Sequence, residues 1–185
     1  MPDDPRQPDP PPSNRPTGEA RPPGPTGPKY VYSREQFMAE RDATEPLGPA
    51  FNAPFDPTLA ERYPELYLRG LRAFNLLEMF DCHELLEAVW NDAVDDERVF
   101  VQGLIQIAVA ILHWESKHKP GALSVFRTGR SLLAEFPAQF MGVPVQAWLA
   151  HIDALFAPLL AAPGDDLPDL DYRAIPHLTV DGREP

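Results

Sequence analysis

The stretch VFVQGLIQIAVAILHW, residues 99–114, decides how this chain folds. Every position in it is apolar or glycine except Gln102, Gln106 and His113. Spanning a bilayer takes about 20 apolar residues, so this run is too short and too polar for a membrane segment. It reads as a core helix over about 97–116. Apolar nearly all round, that helix must be covered on several sides and therefore sits centrally.

Working outward, the same helical spacing recurs on both sides. Tyr67, Leu71 and Phe74 predict a helix over about 64–77, with Pro64 in its first turn. Cys82, Leu85, Leu86, Val89 and Ala93 make the stripe of a helix over about 80–93. Pro120 and Gly121 are read as breaking the central helix, after which a further helix runs over about 122–136 and ends at Pro137. Trp148, Ile152, Leu155, Phe156 and Leu159 face inward from a last helix over about 145–160. Short connections make successive helices antiparallel neighbours. The expectation is a single all-α bundle of about five helices, with residues 58–162 as the helical domain. Only Tyr30–Tyr32 shows any hint of strand alternation.

The flanks have a different composition. Residues 1–28 contain 11 of the chain's 24 prolines and no apolar periodicity. They cannot bury enough surface to offset their ordering entropy, so a disordered, partly polyproline-like extension is expected. In residues 29–57, Ser33 and Gln36 form a capping-box pattern for a short helix over about 33–42, followed by a Pro- and Gly-rich loop. Residues 163–185 read as an extended acidic tail.

The formal charge of −12 repels phosphate backbones and anionic lipid, so neither nucleic acid nor a membrane is expected as a partner. The single cysteine, Cys82, permits no intramolecular disulfide, and no signal-peptide pattern opens the chain. A cytoplasmic location is the expectation. Cys82 lies on an apolar stripe and reads as a small hydrophobe.

The chemistry concentrates on two helices. At about 100° per residue, His83 and Glu87 share one face of the 80–93 helix, and Trp90 lies one turn further along it. Glu84 points about 100° away, outward or toward another helix end. On the central helix, Gln102, Gln106, Val109 and His113 fall on one narrow stripe. Polar groups on so apolar a helix must find partners, because an unpaired buried amide or imidazole costs roughly 1–3 kcal/mol. A polar seam between these two helices is expected, containing His83, Glu87, Gln102, Gln106 and His113 and walled by Trp90 and Phe80. Glu84 and Asn75 are further candidate members.

Three readings of this seam stay open. It is a hydrogen-bond network that fixes helix register, a pocket for a small molecule or protein partner, or a catalytic site. In the last case His83, Glu87 and His113 form a two-imidazole, one-carboxylate set suited to a divalent metal with an open position. Without a metal, Glu87 would orient His83 as a general base. The pattern His-Glu-x-x-Glu differs from the zinc-peptidase His-Glu-x-x-His, and Glu115-x-x-His118 is a single copy of a pair that a di-iron bundle needs twice. Lys117, Lys119, Arg127 and Arg130 read as a solvated basic face, and His151 and His177 as surface residues. The sequence leaves the oligomeric state open.

Phe74-Asn75, His83-Glu84-x-x-Glu87-x-x-Trp90, Gln102-Gly103-Leu104-Ile105-Gln106, His113 and Gly121-Ala122 together resemble the bacterial and archaeal domain-of-unknown-function family 309, over about residues 66–133. The resemblance implies an all-helical fold and points to the same residues on the two helices. It implies no activity. The family commonly carries an asparagine shortly before the Gly-Ala pair, and His118 stands near that place here.

Overall fold

In the computed structural model, residues 52–185 are described, and they lie within one compact unit, Leu47–Pro185. The expected disordered extension, the 33–42 helix and the Tyr30–Tyr32 segment lie outside the described residues. The described chain is helical. A single-turn helix α1 (Pro57–Ala60) precedes five longer ones: α2 (Glu65–Asn75), α3 (Met79–Asp92), α4 (Asp95–Glu115), α5 (Lys119–Ala134) and α6 (Val145–Ala161). A 3-10 turn, Tyr172–Ala174, interrupts the C-terminal segment. No β-strand forms among the described residues, and two isolated bridges, Phe140–Val143 and Val180–Arg183, close tight turns.

Helix α4 takes the central place its composition demands. It packs heavily against both α3 and α5, while α2 packs on α3 and α6 on α5. Phe100, Val101, Leu104, Ile107, Ala108, Ala110, Ile111 and Trp114 are all buried along it. No helix among the described residues is long and apolar enough to cross a membrane.

The helix ends explain how the chain reverses so quickly. After α2, Leu77 takes a positive φ of 63°, its N–H donates to the Phe74 carbonyl, and the Glu78 N–H donates to the Ala73 carbonyl. After α4 the pattern repeats: Lys117 has φ 58°, its N–H donates to Trp114, and the His118 N–H donates to His113. Both are Schellman closures, built here without the usual glycine. Pro120 breaks no helix: it occupies the first turn of α5, where its missing N–H costs nothing. Pro64, expected inside the first turn of α2, is instead that helix's N-cap.

The C-terminal segment has little regular structure, yet it lies against the helices. Leu170, Ile175, Leu178 and Val180 are buried. Side chains from the helices tie its backbone down. The Trp114 indole N–H donates to Pro168 O at 2.8 Å, the Trp148 indole to Pro176 O at 3.2 Å, and the Asn75 amide brackets Leu178. Near the end, Asp181 and Gly182 both take positive φ, the pattern of a type I′ turn, for which Asp-Gly is a favoured pair.

Candidate functional site

Helix α3 runs Met79-Phe-Asp-Cys-His83-Glu-Leu-Leu-Glu87 and buries Met79, Asp81, Cys82 and Leu86. His83 lies about 100° from Cys82 around the helix, which places it at the margin of that buried stripe. Its ring is flanked by two carboxylates. Nδ1 lies 3.0 Å from a Glu84 carboxylate oxygen, and Nε2 lies 3.9 Å from a Glu87 oxygen. One donor atom from each of His83, Glu84 and Glu87 can be chosen so that all lie within 4.8 Å of one another.

Glu84 is therefore a full member of the cluster. Its backbone position does point away from His83, as the helical wheel requires. The glutamate stem is long enough to swing the carboxylate sideways to the imidazole edge. Glu84 is also the more sheltered acid, with its side chain 19% exposed against 51% for Glu87.

The rest of the expected seam is divided. His113 lies outside the His83 cluster and faces His118 instead, Nδ1 to Nδ1, at 3.3 Å. The Schellman closure is the physical reason: the backbone bond from His118 to His113 sets both rings side by side at the end of α4. Burial, and next the neighbouring His118, push the His113 imidazole toward its neutral form. Asn75 does not join the seam. Its Nδ2 donates to Leu178 O at 2.8 Å and its Oδ1 accepts from Leu178 N at 2.7 Å, so it serves the C-terminal segment.

Gln102 and Gln106 stay half-buried on α4, and their side-chain amides form no hydrogen bond among the described residues. The Gln106 Cβ lies against Gly129 of α5, so its stem belongs to the α4–α5 contact. No hydrogen bond links His83 or Glu87 to Gln102, Gln106 or His113 among the described residues. Trp90 stands beside the start of α4, with the Arg98 guanidinium 3.7 Å from its ring centroid. Its indole N–H is buried without a hydrogen-bond partner among the described residues. Phe80 is partly exposed and its ring centroid lies 6.2 Å from that of His83.

The remaining polar residues have structural roles. Lys119 is buried, and its ammonium donates to Ala162 O and Gly164 O, each at 2.8 Å. Lys117 pairs with Asp169 and Arg130 with Asp153, so the expected basic face is largely neutralised. His151 and His177 are exposed. Burial pushes the Cys82 thiol far up, which makes it inert as a nucleophile at neutral pH.

Two residues of interest escape a helical-wheel reading. Glu84 reaches His83 through side-chain torsions that a wheel ignores. His118 reaches His113 through a left-handed residue at 117, and the signal available was Pro120 two residues later, which suits the first turn of a new helix.

Residues 67–125 match the family described as a domain of unknown function, DUF309, and the chain resembles that family over this span. The match covers most of α2, all of α3 and α4 and the start of α5, and so includes the whole His83 cluster. No curated protein and no solved structure matches the chain.

Proposed function

We propose that this protein holds a divalent metal ion at His83, Glu84 and Glu87, with coordination positions left open for water or a small substrate. One observation carries the reading: an imidazole and two carboxylates from a single helical segment converge within 4.8 Å at the margin of the core. One nitrogen and two oxygen donors suit a borderline or hard ion such as Zn(II), Fe(II) or Mn(II). A half-exposed rim keeps solvent access, which a catalytic ion needs and a closed structural site lacks. Metal-assisted hydrolysis of a small substrate is the reaction class such a site serves, because a bound cation makes water a nucleophile near neutral pH.

The register-fixing network is less well supported. It needs hydrogen bonds across the α3–α4 contact, and Gln102 and Gln106 supply none among the described residues.

Mn(II) binding by the full chain, followed by electron paramagnetic resonance, tests the proposal. One equivalent should bind, and Glu84→Gln and His83→Ala should each weaken binding roughly tenfold or more. His113→Gln should leave it unchanged. Failure of the parent to bind Mn(II), or parent-like binding by Glu84→Gln, would overturn the proposal.

A further inference from the structure

The end of α4 carries a second pair of donors that shares no residue with the His83 cluster. His113 is the third residue from the α4 cap, and His118 is both the second residue past that cap and the N-cap of α5. A Schellman closure normally seats two apolar side chains against each other at these positions. Here it seats two imidazoles, with ring centroids 5.1 Å apart and the rings tilted 69° to one another.

The Nδ1 atoms face each other at 3.3 Å. Zinc–imidazole bonds are about 2.0–2.1 Å long, and a tetrahedral angle between two of them spans about 3.3 Å. The observed separation matches the bite of a two-imidazole chelate. Gly121 leaves the room for it. A Cβ there would lie 2.4 Å from the His118 Nδ1 and 3.1 Å from the His113 Cγ.

We propose that His113 and His118 chelate a transition-metal ion of the Zn(II) type through their Nδ1 atoms, with water in the remaining positions. Metal binding needs the neutral ring, and the burial of His113 already favours that form. The backbone of the helix turn holds both donors, so little side-chain freedom remains to be lost when an ion binds. The alternative use of the same geometry is a plain hydrogen bond between the two rings.

Zn(II) titration of the full chain with 15N-labelled histidine rings separates the two. Chelation predicts that the Nδ1 resonances of His113 and His118 shift together as Zn(II) is added. In His118→Asn, which keeps a good N-cap residue for α5, the His113 shift should disappear and circular dichroism should not change. Gly121→Ala retains both imidazoles but intrudes on their ring atoms, and should weaken this site roughly tenfold. Ring resonances unmoved by Zn(II) in the parent, or a His113 shift that persists in His118→Asn, would overturn the proposal. Neither result bears on Mn(II) at the His83 cluster, because the variants and the probe differ.

Discussion

Leu77 and Lys117 each spend a left-handed backbone conformation to close a helix. For a residue with a side chain that conformation costs roughly 1–2 kcal/mol. Leu77 is 38% exposed, so it recovers only part of this through packing. Leu77→Gly should therefore stabilise the chain by about 1 kcal/mol, seen as a higher urea midpoint with unchanged slope. A second residue-scale effect follows from His113. Burial, and then His118, lower its affinity for a proton in the folded chain. The unfolded chain, titrating near the ordinary value of about 6.5, binds that proton more readily. Stability from this group is thus fully present above about pH 6.5 and is lost as pH falls toward the lowered folded value. Denaturation between pH 8 and pH 5 in the presence of a chelator should show the loss, and His113→Gln should flatten it.

At the scale of elements, α4 and α5 approach through glycine. A Cβ on Gly129 would lie 2.8 Å from the Gln106 Cβ and 3.0 Å from the backbone oxygen of Gly103. Backbone cannot move aside as a side-chain tip can. Overpacking of this kind costs about 1–3 kcal/mol, which exceeds the gain of up to about 1 kcal/mol from better helix propensity. Gly129→Ala should therefore lower the thermal midpoint, against the trend for an exposed helical glycine. The same close contact accounts for the division of the α4 polar stripe. With Gln106 drawn against α5 and His113 drawn to the start of α5, the stripe serves that side of the helix as much as the α3 side.

At the scale of the whole molecule, the C-terminal segment completes the cover of the helices. Asn75 satisfies both the N–H and the C=O of Leu178, the geometry of one rung of a β-ladder supplied by a side chain. Asn75→Ala would leave two backbone groups in search of partners, at a cost of about 1–3 kcal/mol. Hydrogen exchange should report it locally, with loss of protection at Leu178 and its buried neighbour Val180 while the α4 amides stay protected.

The all-helical architecture was legible in the residues because it rests on local periodicity. The 99–114 run forces a central helix whatever surrounds it, and the stripes on either side need only match its period. The His83–Glu87 face was legible for the same reason, since i, i+4 geometry is a property of the helix itself. Three things waited on the folded chain. Glu84 joins His83 because side-chain torsions, which no wheel represents, carry its carboxylate around the helix. His113 pairs with His118 because a left-handed residue at 117 closes a backbone bond across the helix end. Asn75 leaves the seam because Leu178, 103 residues away, offers it both a donor and an acceptor. The order of apolar and polar residues along the chain dictates which surfaces must be buried. Which polar groups meet there depended on turn geometry and on long-range chain return, and those exist only in the tertiary structure.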